Sequence, residues 1–483
     1  MNHWIHPELP CFAVVGRVNT GKSAVLATLL EIDDDSIIRV SPTPGETTSV
    51  QVLPLVLDGK ERMRFLDTPG FQQAVAAKQA IQHIAGERTP NLDDLRIFVS
   101  QYANEFPDEC LLLQPLIEGA GVLYIVDPSK PLRDSFLAEM EILRWTGRPR
   151  LALMNQKDAS TSEEAEWRNR LGATFNLVRT FNAHHARYAE RLRLLRSLLD
   201  IEESHRNALE HTIALIGEEW QQREEQSAEI IIGFLESSLL LRSAKTVPAR
   251  ELSTLMRQEK IREQLAIDYY QALANLEHKA SKELLELYRH HLLKADLREN
   301  SFQGLDLESR ETWKKWGLSR HQLAAAGALA GAIAGGSIDI GTGGLTHGIA
   351  TAFFTLTGAG AAYFKGNQLP SLNVALDGIK VDATEQRSIS VGPPGNANFP
   401  WILLDSMLLI HARILTRAHG RRDLETLNIE DNPQGFSRDL AKQSRATLTK
   451  WFESCLKSSP NRALEPEVYE IILQALNHSR DKA

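Results

Sequence analysis

Gly16-Arg17-Val18-Asn19-Thr20-Gly21-Lys22-Ser23 is the stretch that decides the fold. It follows the apolar run CFAVV (11–15) and opens the run SAVLATLL (23–30), so a buried strand leads through a glycine loop into a helix. The spacing G-x-x-x-x-G-K-S is the one a phosphate-binding loop needs. Glycine lets the backbone curl around an anion and point N–H groups at it, and the helix start adds positive potential. Lys22 is expected to reach the β- and γ-phosphates of a nucleotide, and the Ser23 hydroxyl to bind Mg²⁺. Gly16, Asn19, Thr20, Gly21 and Ala24 complete the expected cradle.

Outward from this loop, short apolar runs alternate with helical stretches as far as Leu199. The strand candidates are QVLPLVL (51–57), MRFLD (63–67), VLYIVD (122–127), RLALMN (150–155) and NLVRTF (176–181). That rhythm predicts an α/β domain with a mainly parallel sheet over residues 8–199.

Two more groups sit at predicted strand ends. Asp67-Thr68-Pro69-Gly70 closes MRFLD; an acid here can hold Mg²⁺ through a water, and the Gly70 N–H can meet a γ-phosphate. Asn155-Gln156-Lys157-Asp158 closes RLALM, and a carboxylate at Asp158 can accept two N–H bonds from guanine, a pattern adenine does not supply.

Three such elements in this order resemble the Era-like branch of the translation-factor-related GTPases, over the first 200 residues. The resemblance implies a P-loop G domain that hydrolyses GTP to GDP and phosphate, with Lys22, Thr47 and Gly70 serving catalysis. Thr47 comes from Ser41-Pro42-Thr43-Pro44-Gly45-Glu46-Thr47-Thr48, similar to the family's first switch, and would join Ser23 and Asp67 on Mg²⁺, with Thr48 as the fallback. The family pattern N-K-x-D is altered, since Gln156 holds the lysine position and Lys157 is shifted by one. Asn182-Ala183-His184 is the candidate for the fifth, base-contacting element. Asn19 occupies the position at which potassium-activated members hold K⁺, implying turnover that rises with K⁺, with dimerisation through the G domain, or with both. Phe71 stands where Ras-like proteins carry a water-orienting glutamine; Gln72 and Gln73 follow it.

The second half reads differently. Residues 200–320 form a long amphipathic helical region, with Leu209, Ile213, Ile216 and Trp220 three or four positions apart and Pro248 expected to separate two long helices. Residues 321–365 are a Gly/Ala-rich hydrophobic hairpin. Residues 366–483 hold a short β segment, SLNVALDGIKVDATEQRSISVG (371–392), then the apolar helix start FPWILLDSMLLIHARIL (399–415) and polar helices. This order is similar to an uncharacterised C-terminal family that follows Era-like G domains in some bacterial proteins. Two readings of the hairpin stand side by side. Trp313, Trp316, Tyr363 and their lysine neighbours favour a membrane interface; the short first arm, Asp339 and His347 favour packing inside a soluble helical domain.

Composition bounds the rest. A chain of 483 residues with a formal charge of -8 is long enough for two or three domains, and its mild acidity argues against whole-protein attraction to nucleic acid or anionic lipid. Cys11, Cys110 and Cys455 suit neither a disulfide framework nor a zinc site, and the N-terminus lacks a secretory pattern. The histidines of the second half, His290, His291, His321, His347 and His411, show no metal-ligand spacing. The expected setting is therefore the cytoplasm, with 321–364 reaching the inner face of the cell membrane. The expected role is a nucleotide-dependent switch on the helical region, with GTP, GDP, Mg²⁺, K⁺, a membrane and an unidentified protein as ligands and partners. An RNA- or ribosome-assembly factor and a dynamin-like membrane scaffold are the rival readings; no KH-type loop or basic tail supports nucleic acid.

Overall fold

The computed structural model describes residues 4–17, 19–32, 49–156, 163–183, 187–248, 255–290, 372–381, 384–394, 399–417, 419 and 436–482. The chain divides into two compact units, Met1–Gln221 with Leu415–Asp423, and Gln222–Ile414 with Leu424–Ala483.

The first unit is built on a six-stranded sheet in the order β2-β3-β1-β4-β5-β6. Its strands are β1 (Cys11–Val15), β2 (Gln51–Leu57), β3 (Lys60–Asp67), β4 (Gly121–Val126), β5 (Arg150–Asn155) and β6 (Leu177–Phe181). All neighbours run parallel except β2 and β3, which pair antiparallel across a tight connection at Asp58 and Gly59. Edge strand β2 alternates exposed and buried residues and carries Pro54, which an edge strand tolerates because its missing N–H can face outward. The predicted strands are all present; β3 starts three residues earlier than its apolar run, because Lys60, Glu61 and Arg62 continue the hairpin with polar side chains.

Alternation along the strands builds two cores. Phe12, Val14, Leu123, Ile125, Leu151 and Leu153 face one side and pack with α1 (Lys22–Leu30), α7 (Tyr188–Leu199) and the start of α8 (Arg206–Leu240). Ala13, Val15, Val122, Tyr124, Val126 and Ala152 face the other, under α2 (Ala74–Ala85), α3 (Leu92–Gln101), α4 (Pro107–Glu118), α5 (Asp134–Trp145) and α6 (Glu164–Gly172). A right-handed crossover between parallel strands is usually made by one helix. Here α2, α3 and α4 all lie between β3 and β4, so two further helices stand immediately after Asp67-Thr68-Pro69-Gly70. The α3 start is fixed by a capping box in which Asn91 accepts from the Asp93 and Asp94 amides while Asp94 caps the Asn91 N–H.

In the second unit a three-stranded sheet has the order β7-β9-β8, all antiparallel: β7 (Ser243–Pro248), β8 (Leu372–Val381) and β9 (Thr384–Pro394). Pro248 stands between two long helices, as the sequence predicts, and it also ends strand β7, which the sequence does not predict, at the edge of this sheet, where the missing N–H is harmless. The described helices are the later part of α8, α9 (Leu255–Leu287), α10 (Phe399–Thr416), α11 (Lys442–Leu456) and α12 (Glu465–Lys482). Leu265 and Ala266 of α9 pack on Ile389 and Val391 of β9, and Gly392 sits so close to the Tyr269 ring that a Cβ would lie 2.4 Å from it. Polar bridges tie α10 inward: Ser406 donates to the buried Glu277 at 2.6 Å, and the Tyr288 hydroxyl lies 3.0 Å from His411 Nε2. Among the described residues α10 is the one helix long and apolar enough to cross a membrane, and 56% of it is buried inside the protein. The hairpin at 321–365 lies outside the described residues.

Candidate nucleotide site

The strand order places the site. The chain leaves β1 toward β3 on one side and later toward β4 on the other, so the carboxyl end of β1 is the point where the winding reverses, and a crevice opens there. Gly16, Arg17 and residues 19–21 occupy it, between Asp67 at the end of β3 and Ile125 of β4.

Local sterics explain the glycines. A Cβ on Gly16 would sit 2.3 Å from the Ile125 carbonyl oxygen. Gly21 has φ +91° and caps α1; a Cβ there would meet Asn155 Nδ2 at 2.1 Å. Gly70 approaches from β3, where a Cβ would lie 2.8 Å from the Gly16 carbonyl. Asn19 has φ +66°, a conformation asparagine adopts more readily than most residues.

The loop is tied from within. The Arg17 carbonyl accepts from the Thr20 hydroxyl at 2.8 Å and from the Thr20 amide at 3.4 Å. Lys22 Nζ donates to the Gly16 carbonyl at 2.9 Å and to the Arg17 carbonyl at 3.4 Å, so the ammonium lies across the mouth of its own loop. Burial pulls the Lys22 pKa down, while the carboxylates of Asp67 and Glu139 push it back up. Ser23 and Ala24 follow in the first turn of α1, Ala24 buried.

Asp67 provides the acid. Burial pushes its carboxyl up to about 6 from 3.8, with Lys22 acting against that rise. Its Oδ1 is buried with no hydrogen-bond partner among the described residues. A buried, unpaired carboxylate oxygen beside a phosphate loop fits a hard cation such as Mg²⁺, and Ser23 and Asp67 are the described residues that would hold it. Thr68 next door donates its hydroxyl to the Val14 carbonyl at 2.8 Å, which pins the end of β3 to β1.

Asn155 and Ala183 meet at the same crevice. Asn155, fully buried at the end of β5, donates from Nδ2 to the Thr20 carbonyl at 2.9 Å and accepts at Oδ1 from the Ala183 amide at 3.2 Å. The Ala183 carbonyl in turn lies 3.3 Å from the Thr28 hydroxyl of α1. Gln156 continues from β5, its amide donating to the Phe181 carbonyl at 2.8 Å, and Asn182 adjoins Ala183 after β6. The sequence-predicted residues Gly16, Asn19, Thr20, Gly21, Lys22, Ser23, Ala24, Asp67, Gly70, Asn155, Gln156, Asn182 and Ala183 thus converge on one sheet edge. Thr47, Thr48, Lys157, Asp158 and His184 lie outside the described residues.

Three residues of the site carry no motif. Glu109 of α4, buried, accepts at Oε1 from the Gln72 amide at 2.8 Å and the Gln73 amide at 2.5 Å, so the segment after Gly70 is held by its backbone while the Gln72 and Gln73 side chains are exposed. Phe71 is buried in the core there. Glu139 holds the Arg17 side chain, and Tyr124 donates its hydroxyl to Glu139. A lone glutamate in a helix and a lone tyrosine in a strand give no sequence signal of such pairing.

Comparison with known proteins then bears on these features. Residues 11–155 match the family described as 50S ribosome-binding GTPase, and residues 168–475 match the family described as Domain of unknown function (DUF3482). The chain is 33% identical over 78 residues to the probable GTP-binding protein EngB of Streptococcus mutans, covering 16% of this chain and 36% of that one. The probable GTP-binding protein EngB of Streptococcus pneumoniae matches at 33% over 78 residues, 16% of this chain and 37% of that one. The chain therefore spans little more than a third of the length of these curated relatives. Residues 11–155 form a P-loop GTPase domain.

Proposed function

We propose that this chain, which belongs to the family described as Domain of unknown function (DUF3482), hydrolyses GTP to GDP and phosphate and so switches its helical region between two states. One observation carries the reading: Lys22, the unpaired Asp67 oxygen and the Asn155 bridge meet at the reversal point of the sheet, inside a domain matching a GTPase family.

In this reading the amides of residues 16–21 wrap the phosphates, and Lys22 leaves the loop carbonyls for the β- and γ-oxygens. Ser23, Asp67 and Thr47 would hold Mg²⁺, which would supply positive charge to the phosphates when bound. Gly70 presents its amide to the γ-phosphate, and Asp158 selects guanine. Asn155 keeps the Thr20 end of the loop in register with Asn182 and Ala183, which lie toward the base. GTP orders Thr47 and Gly70, and hydrolysis releases them.

The finer assignments belong to the same proposal. The protein is an Era-like GTPase in which Asn19 helps hold K⁺ and turnover rises with K⁺ or with dimerisation through the G domain. Its domains are 8–199, 200–320, 321–365 and 366–483. It works in the cytoplasm, and residues 321–364 engage the inner face of the cell membrane. A ribosomal partner is the second reading, favoured by the description of the family that residues 11–155 match. Salt-sensitive co-sedimentation with ribosomes would select it over membrane flotation.

Phosphate release from GTP and from xanthosine triphosphate, by wild type and Asp158→Asn, tests the reading. We expect wild type to turn over GTP, faster in KCl than in NaCl, and Asp158→Asn to prefer the xanthine nucleotide. Wild-type protein that releases no phosphate from GTP in Mg²⁺ and K⁺ contradicts it.

A further inference from the structure

Arg17 directly follows Gly16, yet its side chain turns away from the loop into the protein. Its Nε pairs with Glu139 Oε1 at 2.5 Å, and its guanidinium carbon lies 4.4 Å from the centre of the Phe136 ring. Glu139 is fully buried on α5, and the buried Tyr124 of β4 donates its hydroxyl to Glu139 Oε2 at 2.7 Å. Tyr124 is itself stacked on Phe175 at 5.3 Å, so the cluster rests on rigid elements of the sheet and its helical cover. A carboxylate in such a place is costly unless it is paired, and Arg17 is the cation that pairs it.

The same residue is the hub of the phosphate loop on its backbone side. The Arg17 carbonyl gathers the Thr20 hydroxyl, the Thr20 amide and Lys22 Nζ. Glu139 also acts electrostatically on Lys22. Without the guanidinium beside it, the charge of Glu139 would act uncompensated on the site where phosphate oxygens are to bind, and repulsion in a poorly solvated setting is stronger than in water.

We propose that Arg17, Glu139 and Tyr124 are positioning residues for nucleotide binding: the buried carboxylate anchors the Arg17 side chain, which sets the loop carbonyl that aligns Thr20 and Lys22, while Arg17 cancels the carboxylate charge toward the phosphates. This rests on the nucleotide reading above. It separates Arg17 from a surface arginine that merely contributes positive charge, because its effect depends on Glu139.

The test measures affinity for a fluorescent GDP in Mg²⁺ buffer, using the full-length protein. Arg17→Ala leaves Glu139 buried with the Tyr124 hydroxyl but without its paired cation, and is expected to weaken binding at least about tenfold, which corresponds to roughly 1.4 kcal/mol. Adding Glu139→Gln to Arg17→Ala removes the stranded charge and is expected to recover the electrostatic part of that loss, leaving the part due to the missing side-chain anchor. A contribution limited to packing would make the double variant weaker still. Tyr124→Phe deletes one hydrogen bond and keeps the stacked ring, and is expected to cost about threefold to tenfold. It decides the matter if Arg17→Ala does not fold. Arg17→Ala binding as wild type, a double variant no tighter than Arg17→Ala, or unchanged affinity in Tyr124→Phe overturns the proposal. Wild type without GDP affinity is seen in the control, and overturns the nucleotide reading together with it.

Discussion

The side chain of Asn155 reaches across the sheet edge to the carbonyl of Thr20, Nδ2 to O, at 2.9 Å. The same amide accepts from Ala183 N, so one buried residue joins the phosphate loop to the segment after β6.

Asn155→Ala should therefore leave a buried carbonyl and a buried amide without partners, at a cost of about 1–3 kcal/mol each. The expected result is GDP affinity reduced by one to two orders of magnitude with little change in secondary structure. Asn155→Asp should be at least as damaging, since an oxygen would then face the Thr20 carbonyl. Titration with a fluorescent nucleotide checks both.

Arg191 of α7 and Glu31 at the end of α1 form an ion pair at 2.6 Å in which each side chain is 5% exposed, and Arg191 Nε also donates to the Leu29 carbonyl at 2.8 Å. This joins the helix that follows the phosphate loop to α7, which packs on the same face of the sheet. Removing one partner of a buried pair costs about 3–5 kcal/mol, because the other charge is stranded. Arg191→Ala is expected to lower the unfolding free energy by that amount in urea titration. Arg191→Met with Glu31→Leu is expected to lose much less.

Much of this was legible in the sequence. The strand–loop–helix around Lys22 was readable because strand sterics, glycine spacing and the lysine all follow from one function, and Asp67, Asn155 and Ala183 fall at strand ends that apolar runs already mark. Strand β7 was not, since Ser243–Pro248 has Val247 as its one large aliphatic side chain and takes its order from pairing with β9, more than a hundred residues away. The roles of Glu109, Glu139 and Tyr124 were hidden for a similar reason. Each is an ordinary residue in an ordinary element, and only tertiary placement brings it to the loop.

Asp405 of α10 gives a pH dependence. Burial pushes its carboxyl up to about 6 from 3.8; the Ser437 amide and hydroxyl, each donating at 2.8 Å, act against the rise, and Asp439 adds to it. Between about pH 4 and 6 the folded state keeps a proton that the unfolded state has released. The stability this group contributes is therefore present below its unfolded pKa and lost as pH rises through its folded one. Asp405→Asn preserves the shape, accepting from the Ser437 amide and donating to its hydroxyl. Relative to wild type, the variant should gain on the order of 2 kcal/mol between pH 4 and pH 7. Denaturant midpoints of the two proteins across that range check the sign.

The central claim is that a guanine nucleotide sits in the glycine loop with Lys22 on its phosphates. Isothermal titration of GDP into the full-length protein in Mg²⁺ buffer, wild type beside Lys22→Ala, tests it most directly. The account predicts one saturable site per chain in wild type, no competition from ATP, and binding weakened by at least two orders of magnitude in Lys22→Ala. Heats that never saturate in wild type, or equal affinity in the two proteins, would contradict it.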